Sequence, residues 1–422
     1  MKTAFVILFF SVQFATAQFK SSIICEGDMA INPTVSINKK DTKNLVIASA
    51  EAIYYSADEG KTWQRSPVEL KGSAEHRLIS ERKGDLFDFY LSLNAERKRY
   101  DKIVCQSSRD GGATWQVMGA VTSPNKDVRD PRVSIYNKSG EFMLTWTQYD
   151  QYGSENPDHK SNIMHAQSKE GKKWSAALQV NQLSGDCRDQ DQTVKGGMPG
   201  INAKEMMFVA WAMNQAFYID RSFNKGTTWL SNDIHVADQP GGWLYQVPGS
   251  GRVEGLPEFS IDNSTGRFAG ALYLSWADQR NGTDDTDIWF LRSVNYGDNW
   301  STALRVNDDG KNKHQYMPAM AVDQSDGNIY VAFYDRRNYN DEQTDVYLAF
   351  SNDNGVSFKN VKISEEPFIP ITGRNMGTYI SIDAHQGVIV PVWTCIINGN
   401  VATRTAVIRR DDLIKPSAKE KP

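Results

Sequence analysis

The feature that most constrains the fold of this 422-residue chain is a short motif, Ser-x-Asp-x-Gly-x-Thr-Trp, which returns six times. The clearest copy runs from Ser108 through Asp110 and Gly112 to Trp115. An Asp or Asn side chain turns the backbone, and Gly adopts an angle that other residues resist, so the motif predicts a tight hairpin. The other copies, one of them shortened, begin at Ser56, Ser168, Ser222, Ser293 and Ser351.

Strand patterns recur along the chain together with these hairpins. Seven segments of alternating residues, most of them ending in an aromatic residue, cover residues 45–50, 86–93, 142–146, 206–211, 271–276, 329–334 and 388–393. The strand before each of them recurs near Pro33, Arg77, Pro131, Pro199, Pro257, Pro318 and Gly377. The 344 residues from Pro33 to Gly377 span six intervals, about 57 residues each, which is enough for four short strands. The sequence therefore predicts an all-β propeller of seven four-stranded blades, with six blades as the alternative.

The last repeat lacks both the hairpin motif and a fourth strand. It supplies three predicted strands, at residues 378–383, 388–394 and 401–409. Residues 21–28 precede the first blade, and we expect them to provide the missing outer strand, because closing the ring in this way removes exposed sheet edges. The prediction is one propeller domain over residues 18–412, followed by a polar tail at residues 413–422.

The composition excludes some classes of partner. Charge is nearly balanced, with 47 Lys and Arg against 51 Asp and Glu, so nothing indicates binding to nucleic acid or to an anionic membrane surface. No apolar run after the N-terminal segment is long enough to span a bilayer. We expect a monomer that requires no cofactor.

The N-terminal segment has the pattern of a secretory signal. Lys2 precedes an apolar stretch over residues 4–10, and Ala15-Thr16-Ala17 provides small residues for cleavage, so residues 1–17 are predicted to be removed and the protein secreted. Four cysteines in an exported chain permit two disulfides but do not require any. They also lack the close spacing of a structural zinc site. These cysteines are Cys25, Cys105, Cys187 and Cys395.

Arginine and carboxylate residues recur in the loops that should open on the face opposite the hairpins. Between blades they occur at residues 75–77, 129–132, 188–191, 252–254 and at Arg374, and after the second strands at residues 96–97, 278–280 and 335–337. Because Arg can hold a carboxylate through two parallel hydrogen bonds, the pattern favours an acidic ligand. For any single Arg, however, the favoured interpretation is that it pairs with a neighbouring Asp and only stabilises its loop.

The stretch from His76 to Trp115 resembles the sialidase (neuraminidase) superfamily, whose members carry this hairpin as the Asp box. His76-Arg77-Leu78-Ile79 is similar to the family's Phe/Tyr-Arg-Ile-Pro, although Ile79 replaces the proline. Residues 95–97 resemble its Ala-Glu-x-Arg. A second departure is the number of blades, because sialidases have six.

The resemblance implies roles for particular residues. Family members bind the sialic acid carboxylate with three arginines, which would correspond here to Arg77, to Arg280, and to Arg336 or Arg337; Arg374 is a further candidate for substrate binding. Tyr379 is placed like the family's nucleophile, Glu258 like the glutamate that receives its proton, and Asp101 like the acid that protonates the leaving oxygen. The implied activity is an exo-acting glycosidase, one of the exceptions to the scheme with two carboxylates, acting on a terminal acidic sugar of a glycan.

Two other functions remain open at this stage. A polysaccharide lyase acting on uronate glycans would use an Arg to neutralise the carboxylate and a His or Tyr as base, and the available residues are His76, His314, Tyr245 and Tyr379. A non-catalytic propeller that binds glycans or proteins would need only the scaffold. The loop at residues 278–287 carries many oxygen donors that could hold a structural calcium ion, but a solvated acidic turn is the favoured interpretation.

Overall fold

The computed structural model describes residues 19–136 and 139–414. The chain is a seven-bladed β-propeller, which confirms the predicted fold class and favours seven blades over six. One short helix, α1 (Arg410–Ile414), follows the last blade. The predicted signal at residues 1–17 and most of the predicted tail lie outside the described residues. No helix in the described part of the chain has the length and apolar character needed to cross a membrane.

Each blade is an antiparallel sheet whose strands follow one another outwards from the centre. Blade 1 comprises β2 (Thr34–Ile37), β3 (Leu45–Ser49), β4 (Ala52–Ser56) and β5 (Gln64–Arg65). Blade 2 comprises β6 (Ser73–Ser80), β7 (Leu86–Asn94), β8 (Arg99–Ser108) and β9 (Gln116–Thr122). Blade 3 comprises β10 (Asp127–Tyr136), β11 (Glu141–Tyr149), β12 (Ser161–Ser168) and β13 (Leu178–Gln179). Blade 4 comprises β14 (Lys195–Ile201), β15 (Met207–Met213), β16 (Ala216–Ser222) and β17 (Ile234–Asp238).

The second half of the ring begins with an insertion. A two-stranded hairpin, β18 (Leu244–Val247) and β19 (Gly251–Glu254), separates blade 4 from blade 5. Blade 5 comprises β20 (Glu258–Ile261), β21 (Leu272–Asp278), β22 (Asp287–Ser293) and β23 (Leu304–Arg305). Blade 6 comprises β24 (Gln315–Val322), β25 (Ile329–Asp335), β26 (Asp345–Ser351) and β27 (Lys359–Lys362). Blade 7 comprises β28 (Ser381–His385), β29 (Val388–Ile397), β30 (Asn400–Ala406), β1 (Ser21–Glu26) and the short β31 (Ile408–Arg409), which pairs with β29.

The first strands of the blades form a closed ring around the axis. Each contacts the first strand of both neighbouring blades, in the order β2, β6, β10, β14, β20, β24, β28 and back to β2. Residues that begin these strands therefore face a common centre.

The strand β1 closes the ring, as the sequence predicts. It pairs antiparallel with β30, from Ser21 opposite Ala406 to Glu26 opposite Ala402, and becomes the outer strand of blade 7. Ile24 is buried against residues of blades 7 and 1, among them Val390 and Val35. The N-terminal end of the domain is thus built into its C-terminal blade.

The hairpin motifs join the third and fourth strands of the first six blades. In blade 2, Ser108 Oγ accepts a hydrogen bond from Gly112 N at 2.9 Å, and Asp110 Oδ1 accepts one from Thr114 N at 2.9 Å. Trp115 Nε1 donates to Gly112 O at 3.0 Å. The conserved spacing of the motif is therefore explained by hydrogen bonds within the turn itself.

The hydrophobic core consists of layers between adjacent blades rather than one central mass. Phe89 of blade 2 packs edge-on against Phe142 of blade 3, with ring centroids 5.5 Å apart. Phe217 of blade 4 meets Trp276 of blade 5 at 5.0 Å. The core is thus a series of interfaces between adjacent blades around the ring.

All four cysteines are free thiols in the structure. Cys105, Cys187 and Cys395 are buried. Burial raises the pKa of the Cys105 thiol to about 12 and that of Cys395 to about 12, which keeps both protonated and unreactive at neutral pH. The fold thus forms without disulfides, which the sequence permitted but did not require.

Candidate functional site

Equivalent residues from all seven blades meet where the first strands begin. In six blades, the entry to the first strand contains a residue in the left-handed backbone region, with φ between 50° and 78°. In blades 2, 3, 4 and 6, the pairing of the first strand with the second shifts register at the same place. These residues are Asn32, Glu75, Asp130, Gly196, Met317 and Gly377. Blade 5 has Leu256-Pro257 instead. The side chains that occupy the shared position two residues later are Thr34, Arg77, Arg132, Met198, Glu258, Ala319 and Tyr379.

Four of these side chains form a cluster that we call the axial pocket: Arg77, Arg132, Glu258 and Tyr379. Cζ of Arg77 lies 4.0 Å from the centre of the Tyr379 ring, and Cζ of Arg132 lies 5.6 Å from it. Arg132, Glu258 and Tyr379 line the same narrow cavity, which has about 20 Å³ of free volume. The structure thus brings together three of the residues proposed from the sequence, namely Arg77, Glu258 and Tyr379.

Several polar atoms of the axial pocket have no hydrogen-bond partner within residues 19–136 and 139–414. Arg77 donates from Nη1 to the His76 carbonyl at 2.8 Å, but its Nε and Nη2 are buried without an acceptor. The same holds for Nε of Arg132. The Tyr379 hydroxyl group has no hydrogen bond of good geometry within the described residues, and the Arg77 guanidinium is the donor close to it. A buried donor without a partner is costly, and guanidinium groups pair best with anions, so the pocket is suited to an anionic acceptor.

Burial shifts the acid–base properties of the pocket. It lowers the pKa of Arg132, with a further contribution from the nearby charge of Arg77. It raises the pKa of Glu258, although the two arginines oppose the rise. Burial also raises the pKa of Tyr379, and the Arg77 guanidinium acts in the opposite direction. The two arginines face the buried carboxyl group of Glu258 and a phenol that its raised pKa keeps neutral, and Asp130 and Glu254 line the same cavity.

Two further carboxyl groups lie at the rim of the pocket. Asp130 N donates to Glu75 Oε2 at 2.6 Å, and Asp130 Oδ2 is buried without a hydrogen-bond donor among the described residues. Burial, together with the charge of Asp130, raises the pKa of Glu75 to about 7, against the effects of Arg129 and Arg77. Glu75 can therefore change its protonation state near neutral pH.

A buried ion network adjoins the pocket on the side of the inserted hairpin. Lys195 Nζ lies 2.9 Å from Asp189 Oδ1 and 2.9 Å from Glu254 Oε1. Arg252 reaches Asp189 at 2.6 Å. Although burial disfavours its charge, Lys195 has a pKa well above the usual value because Glu254 and Asp130 stabilise the cation. The network anchors β19, whose Glu254 also lines the axial cavity.

His76 supports the site from behind and is closed to substrate. Its Nδ1 lies 2.8 Å from Asp88 Oδ2 and its Nε2 lies 3.0 Å from Ser73 Oγ. His76 is 1% exposed, and the single Ser73 hydroxyl proton has the carbonyl oxygens of Leu70 and Ala50 within hydrogen-bond distance, at 2.6 and 2.9 Å. This order of groups resembles a catalytic triad, but the enclosed serine has no access to a substrate. The arrangement instead holds the backbone that carries Arg77.

Arg280 and Arg337, which the sequence analysis proposes for substrate binding, each form a local ion pair. Arg280 pairs with Asp278 through Nε at 2.9 Å and Nη2 at 2.6 Å. Arg337 pairs with Asp335 in the same way, at 2.8 and 2.7 Å. Each arginine is thus held by the aspartate two residues before it. Neither arginine is among the residues that line the axial cavity, so no contact of the structure supports their predicted convergence with Arg77.

Arg336, the alternative candidate for the third arginine, forms hydrogen bonds with the inserted hairpin and with its own blade. It is 3% exposed, and it donates to the carbonyl oxygen of Pro248 at 2.8 Å and to Ser250 Oγ at 3.1 Å. Its Nε also donates to Thr344 Oγ1 at 3.0 Å. Arg336 therefore fastens the turn of the inserted hairpin to blade 6.

Asp101 and Arg374 also lie apart from the cluster. Asp101 is buried in β8 and accepts a hydrogen bond from Asn94 Nδ2 at 2.8 Å, within its own blade. Arg374 is exposed and donates to the Gly399 carbonyl at 3.0 Å. Neither is among the residues that line the axial cavity, so no contact of the structure supports their predicted roles.

Arg132 is the pocket residue that the sequence analysis did not select. A signal was present, because Arg132, like Thr34, Glu258 and Ala319, directly follows a proline that marks the start of a first strand. Aligning the blades on that proline would have placed Arg132 in the same position as Glu258.

In the acidic loop at residues 278–287, the carboxylate oxygens of Asp278 and Asp287 accept hydrogen bonds from other side chains of the protein. Asp278 accepts from Arg280 and from Trp276 Nε1, the latter at 2.8 Å. Asp287 accepts from Asn281 and Asn307, each at 2.6 Å. Within the described residues, no three His, Cys, Asp or Glu side chains are grouped so that they could hold a metal ion.

Comparison with known proteins agrees with the fold. The profile of the BNR/Asp-box repeat matches residues 54–65, in blade 1. No curated protein matches the sequence. A similar solved structure is an alpha-L-arabinofuranosidase from Fusarium graminearum, with 13% identity, a TM-score of 0.52, and coverage of 94% of this chain and 99% of that one.

The NanB sialidase from Streptococcus pneumoniae is also similar, with 9% identity, a TM-score of 0.52, and coverage of 90% of this chain and 84% of that one. At these identities the likeness shows a shared propeller fold. The chain thus combines Asp-box hairpins with an architecture also found in a sialidase and an arabinofuranosidase.

Proposed function

We propose that this propeller is a glycoside hydrolase that removes a terminal acidic sugar from a glycan. The observation that carries the proposal is the contact of the Tyr379 ring with two guanidinium groups, each of which has at least one buried donor without an acceptor among the described residues. In a 2-keto sugar acid the carboxylate is attached directly to the anomeric carbon. A carboxylate held by Arg77 and Arg132 would therefore bring that carbon next to the Tyr379 hydroxyl group.

The chemistry follows from the charges in the axial pocket. The substrate carboxylate would repel a carboxylate nucleophile, whereas a neutral phenol can approach the anomeric carbon beside it. Glu258 lines the same cavity and has a raised pKa, so its carboxylate is a stronger base than usual and is suited to receive the phenolic proton. The free volume of about 20 Å³ is smaller than a sugar ring, so binding requires side chains at the mouth to move.

The product of the reaction tests this proposal. The purified protein is incubated with mixed glycans, and free 2-keto sugar acid is measured alongside ultraviolet absorption from unsaturated uronates. We expect release of the free acid. Unsaturated uronate would instead support a lyase. Of the candidate bases for that reaction, His76 is enclosed and Tyr379 is the one that lines the pocket. Binding without turnover would identify a glycan-binding propeller.

Replacing Arg77 tests whether the axial pocket binds the substrate carboxylate. Arg77→Lys keeps the charge but loses the two-pronged contact, so we expect kcat/KM to fall by about 100-fold, as for loss of a strong charged hydrogen bond. Arg109→Lys, on an exposed hairpin of the opposite face, is the matched control and should leave kcat/KM unchanged. Equal kinetics for the two variants would place substrate binding elsewhere.

The place of action is proposed from the N-terminal sequence alone. We infer that the protein is exported and acts as a monomer on extracellular glycans, because residues 1–17 have the pattern of a cleaved signal. Sequencing the N-terminus of protein recovered from the medium or periplasm should give a start near Gln18. A cytoplasmic protein that retains residues 1–17 would contradict the proposed export.

A further inference from the structure

We infer that Glu75 is the proton donor to the departing sugar oxygen. The inference rests on the proposed hydrolysis and assigns the acid role for which the resemblance suggested Asp101. Its starting point is position. Glu75 lies two residues before Arg77, where the chain enters the first strand of blade 2 from the mouth of the pocket. Its carboxyl group is bound by the backbone N–H of Asp130, a residue that lines the axial cavity, so Glu75 lies beside the pocket.

The surroundings orient the carboxyl group and connect it with the nucleophile. Asp130 N binds Glu75 Oε2 at 2.6 Å, which leaves Oε1 to carry a proton. The charged or titratable groups facing Glu75 are Asp130, Arg129, Arg77, Tyr379 and Tyr100. Because burial and Asp130 outweigh the arginines, the pKa of about 7 allows the protonated form to exist at neutral pH. Glu75 can then act first as an acid and later as a base.

The proposed reaction balances in two steps. In the first, the Tyr379 oxygen bonds to the anomeric carbon while the bond from that carbon to the glycosidic oxygen breaks. The phenolic proton passes to Glu258, and the Glu75 proton passes to the departing oxygen, which leaves as an alcohol. In the second, water attacks the anomeric carbon and gives a proton to Glu75. The bond to tyrosine breaks, and Glu258 returns its proton to the phenol.

Leaving-group dependence tests the assignment. An acid is needed for a methyl glycoside but hardly for a 4-methylumbelliferyl glycoside, whose phenolic oxygen departs readily. With both α-glycosides of N-acetylneuraminic acid, Glu75→Gln should lower kcat on the methyl substrate by about 1,000-fold and on the umbelliferyl substrate by less than about 10-fold. The wild-type rate should fall as pH rises through about 7, because the acid form is lost, and the variant should lack this fall.

The controls separate this inference from the proposed function. Glu170→Gln, an exposed glutamate in a hairpin of the opposite face, should behave as wild type on both substrates. A wild-type protein that hydrolyses neither substrate and also releases no free 2-keto sugar acid from mixed glycans would contradict the proposed hydrolysis itself. If the wild type is active, two results would overturn the role of Glu75. One is an equal loss of kcat on the two substrates in Glu75→Gln. The other is that Asp101→Asn, and not Glu75→Gln, loses activity on the methyl substrate while keeping it on the umbelliferyl substrate.

Discussion

At the scale of single residues, buried carboxyl groups outside the pocket also influence stability. Asp220 of β16 has no exposed surface; its Oδ1 accepts from Arg221 N and from Leu230 N at 3.1 Å, but its Oδ2 has no donor among the described residues. Burial raises its pKa from 3.8 to about 7 despite these hydrogen bonds. The folded protein therefore keeps a proton at this site that the unfolded chain has already released.

The consequence is a decrease in stability with rising pH. Between about pH 4 and pH 7 the folded state binds more protons at Asp220 than the unfolded state, so the free energy of unfolding falls through this window. We expect Asp220→Asn to remove that part of the fall and to melt at a higher temperature than wild type at pH 8. Asp41→Asn, on an exposed turn, gives the baseline. Parallel melting curves for wild type and Asp220→Asn at all pH values would contradict this.

The same scale shows what the sequence could predict about the site. Arg77, Glu258 and Tyr379 could be selected because each stands at the start of a strand that repeats. Arg280 and Arg337 could not be separated from them, because a local aspartate two residues earlier competes for each guanidinium group. Whether an arginine turns to its neighbour or to the axis depends on packing between blades, which a single sequence does not display.

At the scale of elements, the hairpins stabilise the blades without contributing to the site. The Trp115 side chain is half-buried and packs with residues of blades 1 and 2, such as Val46 and Leu78. Its indole N–H satisfies the Gly112 carbonyl. Both contacts lie at the junction of third and fourth strands, on the face opposite the loops that lead into the pocket.

Truncation of this tryptophan should separate stability from function. Trp115→Ala should lower the free energy of unfolding by about 2–3 kcal/mol, since a half-buried aromatic loses less than a fully buried one. Urea unfolding measures that loss. The kinetic parameters of the folded fraction should stay within about twofold of wild type. A large fall in kcat/KM would mean that this face takes part in substrate binding.

Elements without a repeat are the ones that the sequence did not reveal. The hairpin of β18 and β19 has no counterpart in the other blades, so periodicity gave no signal for it. Its position depends on long-range contacts, from Arg336 to the Pro248 carbonyl and from Arg252 to Asp189. Such contacts join residues more than 60 positions apart, beyond the reach of local pattern.

At the scale of the whole molecule, the blade number and the closure were predictable because every blade carries its own local signals. The seventh blade was recognised by a missing strand, and β1 fills the place. Without β1, the edge of β30 would expose unpaired backbone groups, and Val390 and Val35 would lose their contact with Ile24. The ring is closed by backbone hydrogen bonds between residues nearly 380 positions apart.

Deletion of residues 19–28 tests this closure directly. Loss of a buried isoleucine and of a paired strand should lower the free energy of unfolding by several kcal/mol, as measured by urea and thermal denaturation. A synthetic peptide of residues 19–28 should then restore part of the lost stability by adding back the strand, whereas a scrambled peptide should not. Ile24→Ala provides a milder variant, expected to cost about 2–3 kcal/mol, if the deletion does not fold. An unchanged melting temperature in both variants would show that β1 is dispensable for the closed ring.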